Sequence, residues 1–265
     1  MRYAVFTDLD GTLLDLHDFS FEPAAGMVAR LRAEGIPLII VTSKTMAEVA
    51  PLADELQLHG PVIVESGGAI AMRADDRLWA YIPLGVPAGE IRKRVPRIEQ
   101  KAEAKLVLYS SMSLEDAGLV SGLSGDMLKR SMQREFDEPF LLAEGLIQRV
   151  EEAAEEEGLI VRQGGRFHHL CGPSGKGDAV RRVLSSLDEK PIVIALGDAP
   201  MDAEFLTLAD IPIVMRGSDG LPNEALLALV PHASISPEKG PAGWSRALEE
   251  LLDRRTKEND ARGRS

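Results

Sequence analysis

Short continuous apolar runs alternate with helically spaced apolar positions through the first half of the chain. The runs are typical of strands buried on both faces, and they lie at 3–6, 38–41 and 62–64. Helical spacing marks 22–34 and 45–58, and Thr45-x-x-Glu48 predicts a capping box at the start of the second helix. Strands that alternate with helices predict a parallel sheet with right-handed crossovers.

The last third of the chain repeats this alternation. It predicts strands at 192–196 and 213–215, and helices at 176–187, 201–209, 222–229 and 241–253. Residues 83–170 break the rhythm, because helical patterns at about 87–103, 126–135 and 144–157 mix with strands at 106–109, 159–162 and 167–170. We therefore expect an α/β fold. A Rossmann-like, doubly wound parallel sheet would be formed by 1–82 and 171–265, with an inserted α+β domain at 83–170.

Charge and composition narrow the classes of partner. The 265 residues carry 30 basic and 42 acidic side chains, a net charge of −12, which argues against nucleic acid or an anionic membrane surface as the main partner. A small anionic substrate stays compatible if a metal cation sits at its site. No apolar run approaches the ~20 residues that span a bilayer, and the first residues lack a signal-peptide pattern, so we expect a cytoplasmic protein. Cys171 alone forms neither an intrachain disulfide nor a cysteine-based zinc site.

Two acidic motifs follow predicted buried strands. Asp8-Leu9-Asp10-Gly11-Thr12 comes after the first strand, and Gly197-Asp198-x-x-x-Asp202 comes after the strand at 192–196. Ligands of open α/β sheets bind at the carboxyl ends of the strands, where these acids would repel one another unless a cation lay between them or one of them stayed protonated. Oxygen ligands favour Mg²⁺ over zinc. The alternatives are a solvated aspartate turn around Gly11 and a helix-capping role for Asp202.

Two further segments are candidate anion sites. Thr42 and Ser43 end the second strand and open a helix, where a hydroxyl and backbone N–H groups can bind an anion. Ser43 could instead serve only as the helix cap. Ser174-Gly175-Lys176-Gly177 places a lysine between glycines at a helix start, although the P-loop spacing is absent and a solvated lysine is the alternative.

The four motifs in this order resemble the haloacid dehalogenase superfamily of phosphohydrolases, whose members with an insert between the second and third motifs carry a C2-type cap. The resemblance implies that Asp8 is the nucleophile and forms an aspartyl-phosphate, and that Asp10 is general acid and then base. It implies that Asp8, Asp10, Asp198 and Asp202 hold Mg²⁺. Thr42, Ser43 and Lys176 would bind the transferring phosphoryl oxygens.

Stretches outside the four motifs resemble one family of that superfamily, the mannosyl-3-phosphoglycerate phosphatases. They are 65–68, 134–140, 165–170 and 239–244. The resemblance implies a small anionic substrate, a phosphorylated sugar-glycerate, whose product is a compatible solute. Arg134 and Arg166 could pair with its carboxylate. Glu65 could accept sugar hydroxyls, and the alternative for Glu65 is a solvated loop acid. Met201 and Ser66 depart from the pattern, because family members commonly carry asparagine at both positions.

Three alternatives stay open on the sequence. One is a phosphatase of different specificity, acting on glucosyl-3-phosphoglycerate or on a phosphate of the sucrose phosphate type. Another is a phosphomutase, which would have to exclude water from the aspartyl-phosphate. The last is a non-catalytic ligand-binding protein, which predicts the loss of an essential acid, whereas Asp8, Asp10, Lys176 and Asp198 are all present.

Overall fold

The computed structural model describes residues 3–74, 78–164, 166–187 and 190–262, with side chains up to residue 254. Gly165, the first residue of one stretch that carries the family resemblance, lies outside the described residues. The strands are β1 Tyr3–Thr7, β2 Leu38–Val41, β3 Val62–Val64, β4 Ala69–Arg73, β5 Trp79–Pro83, β6 Lys105–Leu108, β7 Asp137–Glu144, β8 Ile160–Gln163, β9 His168–Cys171, β10 Ile192–Gly197, β11 Ile211–Arg216 and β12 Ser234–Lys239.

Ten α-helices are formed by the described residues. They are α1 Ala25–Ala33, α2 Met46–Glu55, α3 Ala88–Ala102, α4 Leu114–Ser121, α5 Gly125–Ser131, α6 Ile147–Glu156, α7 Lys176–Ser185, α8 Ala203–Leu206, α9 Glu224–Leu229 and α10 Gly240–Arg262. Among the helices described, none combines the length and the apolar character needed to cross a bilayer.

The chain divides into two compact units, and the first contains 1–42 and 180–265. Its strands pair in parallel in the order β12, β11, β10, β1, β2. Ala4, Val5 and Phe6 of β1 are completely buried, which explains why this strand is apolar at consecutive positions. The predicted α/β fold with a mostly parallel sheet is confirmed.

In the second unit, 43–179, the strand pairs that the structure describes within the unit are antiparallel. In one group β4 pairs with β3 and β5, and in the other four strands form a sheet in the order β6, β7, β9, β8. Helices α3 and α6 pack on one face of this four-stranded sheet, through a core that includes Ile91, Phe140 and Val150. All residues of the four-stranded sheet except Cys171 lie within 83–170, the stretch predicted to mix helices and strands. That this stretch is a cap domain with boundaries at 83 and 170 stays a prediction.

Candidate active site

Two acidic residues extend from neighbouring parallel strands. β1 and β10 pair with Thr7 opposite Leu196, and the backbone N–H of Asp8 continues the ladder by donating to the Leu196 carbonyl at 3.0 Å. Asp198 follows the end of β10, so both aspartates lie at the same edge of the sheet. One carboxylate oxygen from each of Asp8, Asp198 and Asp202 lies within 4.8 Å of the others.

Two glycines make this close approach possible. Gly11 has φ of +76°, and a Cβ built there would lie 2.7 Å from Oδ2 of Asp198. A Cβ on Gly197 would lie 2.7 Å from the side chain of Asp202. Any larger residue at either position would push an acid away, so both glycines follow from the packing of the acidic cluster.

Hydrogen bonds fix the acids of the cluster. Oδ2 of the fully buried Asp202 accepts from the backbone N–H groups of Asp198 and Ala199, each at 3.0 Å. The Thr12 hydroxyl donates to Oδ1 of Asp198 at 3.3 Å. The cluster therefore rests on backbone groups of the same loop, and Asp202 orients Asp198 through the main chain.

A buried indole supports the strand that carries Asp8. Trp244 of α10 is completely buried, and its Nε1 donates to the Thr7 hydroxyl at 3.0 Å. That hydroxyl donates in turn to the carbonyl of Asp8 at 2.8 Å. The contact restrains the backbone just before the nucleophile candidate.

The donor set of the cluster suits a hard divalent cation. Three carboxylates in so small a space repel one another, and burial of Asp8 and Asp202 strengthens that repulsion. A cation that accepts oxygen ligands would balance the charge. The residues present therefore fit a divalent metal.

The second unit has a different buried acid. Glu65 follows β3 and is 2 % exposed, and its carboxylate accepts from the backbone N–H groups of Glu135, Phe136 and Asp137 at 2.8–3.1 Å. Burial and the nearby charge of Asp137 raise the pKa of Glu65 to about 7, although Arg134 and the backbone hydrogen bonds act in the opposite direction. Glu65 anchors the segment that leads into β7.

Asp137, the first residue of β7, pairs with two side chains. Nη1 of Arg134 lies 3.2 Å from each of its carboxylate oxygens, and Nδ1 of His169 lies 2.8 Å from Oδ2. Burial alone would raise the pKa of Asp137, but the charge of Arg134 and the hydrogen bond from His169 outweigh it and hold the pKa below its ordinary value. Asp137 is therefore an ionised, buried carboxylate.

Backbone contacts join this network to the two predicted phosphate-binding segments of the same unit. Nη1 of Arg134 donates to the Ser43 carbonyl at 2.8 Å, and Nη2 of Arg162 donates to the Ser174 carbonyl at 3.2 Å. Gly67 packs so closely on Gly175 that a Cβ would lie 2.2 Å from its carbonyl oxygen. Lys176, the first residue of α7, is only 4 % exposed.

Comparison with known proteins places the chain in a family. A family model for haloacid dehalogenase-like hydrolases matches residues 5–108. A relative from Persephonella marina called glucosyl-3-phosphoglycerate/mannosyl-3-phosphoglycerate phosphatase is 37 % identical over 94 % of this chain and 97 % of its own length. A relative of the same name from Methanococcoides burtonii is 33 % identical over 95 % of this chain and 98 % of its own length. The chain belongs to the haloacid dehalogenase-like hydrolases.

Solved structures agree on the fold. A crystal structure from Thermoplasma acidophilum matches with a TM-score of 0.69 at 16 % identity, covering 95 % of this chain and 99 % of the other. A haloacid dehalogenase-like hydrolase from Bacteroides thetaiotaomicron matches with a TM-score of 0.68 at 17 % identity, covering 95 % of this chain and 100 % of the other. At such low identity the likeness concerns the fold alone.

The predicted site residues of this haloacid dehalogenase-like hydrolase fall in both units. Asp10 and the buried Thr42 belong to the same unit as the acidic cluster, whereas Ser43 and Lys176 belong to the other. The helix cap of α2 is Thr45, whose hydroxyl accepts from Glu48 N–H, so the predicted capping box is confirmed and Ser43 is not the cap. The catalytic and phosphate-binding roles stay predictions.

The structure shows which groups contact the three predicted substrate residues, Glu65, Arg134 and Arg166. The oxygens of Glu65 are occupied by backbone amides, so it is neither a solvated acid nor an unengaged acceptor. Arg134 is largely buried, and exposed Arg166 donates to the Ser121 carbonyl at the end of α4. Their substrate contacts stay predictions.

Sequence reasoning missed Asp137 and Arg162, and it did not assign His169. The available signal was the alternation of His168 and His169 on one strand, which puts them on opposite faces of the sheet. His168 stacks on Phe140 with ring centroids 5.4 Å apart, whereas His169 binds Asp137. The acid partner of His169 is 32 positions away in the chain, and no local pattern reveals it.

Ser66 has a backbone conformation that disfavours serine. Its φ of +55° and ψ of +32° lie in the left-handed region, where asparagine is enriched among residues other than glycine. We expect Ser66→Asn to raise the free energy of unfolding by roughly 0.5–1 kcal/mol and the Tm by about 1–4 °C in thermal denaturation. Ser124→Asn, at an exposed and extended position, is the matched control. A Tm that falls in Ser66→Asn but not in Ser124→Asn would contradict the inference that the backbone conformation at residue 66 disfavours serine.

Proposed function

We propose that this chain is a phosphoric monoester hydrolase that converts mannosyl-3-phosphoglycerate to mannosylglycerate and phosphate. The observation that carries the proposal is the cluster of Asp8, Asp198 and Asp202 at the carboxyl ends of β1 and β10. The names of the two relatives support a glycosyl-3-phosphoglycerate substrate. The product would be a compatible solute made in the cytoplasm.

Asp8 is the proposed nucleophile. One oxygen of its ionised carboxylate attacks phosphorus, the bond from phosphorus to the ester oxygen breaks, and an aspartyl-phosphate forms. Asp10 protonates the departing alkoxide and then removes a proton from the water that attacks the phosphorus. The phosphate leaves and Asp8 regains its carboxylate, so atoms and charge balance over the cycle.

The proposed cofactor is Mg²⁺, which would be held by the carboxylates of Asp8, Asp198 and Asp202 and by the backbone carbonyl of Asp10. When bound, it supplies positive charge that screens the carboxylates from the anionic ester. Thr42, Ser43 and Lys176 are proposed to bind the phosphoryl oxygens through hydroxyl, backbone N–H and ammonium groups, and so to stabilise charge that develops on them. Residues 83–170 are proposed as the cap that sets substrate choice.

A substrate panel tests this function. Pure protein with Mg²⁺ is incubated with mannosyl-3-phosphoglycerate, glucosyl-3-phosphoglycerate, sucrose 6-phosphate and mannose 6-phosphate, and released phosphate is measured. We expect kcat/KM to be at least about tenfold higher for the two glycosyl-3-phosphoglycerates, because their carboxylate adds a charge-assisted contact. Preference for either other ester would overturn the substrate assignment, and EDTA should stop the reaction until Mg²⁺ is restored.

A further inference from the structure

Resting on the proposed function, we propose that Arg134 and His169, both held by Asp137, bind the carboxylate and a hydroxyl of the substrate's glycosylglycerate part. Arg134 and His169 would touch the ligand, and Asp137 would be a positioning residue. The ligand class is a hydroxylated carboxylate, recognised separately from the phosphoryl group.

Arg134 has a nitrogen to spare for such a ligand. Its Nε donates to the Ser131 carbonyl at 3.1 Å, and its Nη1 is shared by the Ser43 carbonyl and Asp137. Nη2 has no hydrogen-bond partner among the described residues, and the side chain keeps 12 % of its surface exposed. Its two N–H groups are donors of the kind that binds carboxylates.

His169 also has one nitrogen in use and one to spare. Asp137 is ionised and can only accept, so Nδ1 of His169 carries the proton that joins them at 2.8 Å. In the neutral ring Nε2 is then a hydrogen-bond acceptor, and it has no partner within the described part of the chain. The His169 side chain is 17 % exposed, and a Cβ on Gly164 would lie 2.7 Å from Nε2, so the glycine leaves space beside this nitrogen for a hydroxyl that donates to it.

Asp137 couples the two groups because it is almost completely buried and accepts from both of them. Removing either partner would leave a buried charge only partly compensated, so the geometry is strongly held. Glu65 reinforces it by fixing the main-chain N–H of Asp137. Arg134 and His169 are thus preorganised, which lowers the entropic cost of ligand binding.

The network also lies beside segments proposed to bind phosphate. Asp137 and His169 point to the face of the four-stranded sheet opposite that packed by α3 and α6, since Phe140 and Leu170 point to the helices. Arg134 touches the Ser43 carbonyl, and Arg162, paired with His169 on that face, touches the Ser174 carbonyl two residues before Lys176. A ligand with a carboxylate a few bonds from its phosphate suits this arrangement.

The test uses calorimetric binding of mannosylglycerate, which has the carboxylate but no phosphate, with methyl mannoside as the probe that lacks the carboxylate. Arg134→Lys keeps a charge beside Asp137 but loses the second guanidinium nitrogen. His169→Asn can still donate to Asp137 but loses Nε2. We expect each to weaken mannosylglycerate binding at least about tenfold and to raise KM for mannosyl-3-phosphoglycerate by a similar factor, with kcat within about threefold.

Matched controls are Arg94→Lys, whose guanidinium donates to the Glu157 carbonyl, and His168→Asn on the other face of β9. Both controls should bind mannosylglycerate within about twofold of the parent, and both should keep its kcat/KM for mannose 6-phosphate within the same factor. Unchanged mannosylglycerate binding in Arg134→Lys and His169→Asn would overturn the inference. A loss of kcat/KM in Arg134→Lys that is as large for mannose 6-phosphate, which has no carboxylate, as for mannosyl-3-phosphoglycerate would also overturn it. If the parent protein released no phosphate from mannosyl-3-phosphoglycerate, the proposed function would fail, while the binding arm would still decide the inference.

Discussion

Asp8→Asn is expected to lower kcat for phosphate release by roughly 10⁴-fold or more while the fold stays intact. An amide is a far weaker nucleophile than a carboxylate, so no aspartyl-phosphate would form. The backbone N–H of residue 8 would still donate to Leu196, and β1 would keep its pairing with β10. The measurement is phosphate release under saturating substrate, with thermal denaturation to confirm folding.

Asp18→Asn is the control for this effect. Asp18 is an exposed acid in the loop that follows the Asp8 motif, and an asparagine oxygen can still accept from Ser20 N–H. We expect its kcat to stay within about twofold of the parent, since it lies outside the acidic cluster. Activity of Asp8→Asn near that of the control would remove Asp8 as the nucleophile.

The free energy of unfolding is expected to fall between pH 4.5 and about pH 7 because of Glu65. Its carboxyl has an ordinary pKa of 4.5 and a folded-state pKa of about 7, raised mainly by burial. In that window the folded protein binds more protons than the unfolded chain, so stability decreases with rising pH until the folded group has ionised. The contribution is on the order of 3 kcal/mol between the two limits.

Glu65→Gln isolates this contribution. Glutamine keeps an oxygen that can accept from the backbone amides of Phe136 and Asp137, but it cannot ionise. Urea denaturation at pH 5 and at pH 8 gives the free energy of unfolding of each protein. We expect this free energy to fall between the two pH values by roughly 3 kcal/mol more in the parent than in Glu65→Gln. Glu152→Gln, at an exposed acid on α6, should leave the pH dependence unchanged. The same dependence in Glu65→Gln as in the parent would contradict the raised pKa.

The parallel core could be predicted because its signals are local. Three strands of this core, β1, β2 and β10, contain continuous apolar runs. Both of their faces are buried, so the run is not interrupted by polar positions and is recognisable in the sequence. β7 was missed because it begins Asp-Glu-Pro, residues rare in strands, whose burial depends on Arg134 and Arg92 rather than on apolar character. The helix predicted at 126–135 ends at Ser131, where the chain turns toward the Glu65 anchor.

The acids of the site could be predicted for a similar reason, because strand ends and glycines mark them in the sequence. The surroundings of Glu65 could not, since its amide partners are about 70 positions away. Burial changes the chemistry of an acid more than its residue type does, and burial of a loop residue has no local signature. Asp137 and His169 belong to the same class of long-range contact.

The most direct test of the central claim is hydrolysis of mannosyl-3-phosphoglycerate in ¹⁸O-labelled water with Mg²⁺, followed by mass spectrometry of both products. Attack of Asp8 on phosphorus and then of water on the aspartyl-phosphate predicts that the released phosphate carries one solvent oxygen and that mannosylglycerate carries none. Label in mannosylglycerate, a phosphoryl group moved to another sugar position without label, or no phosphate release would contradict it.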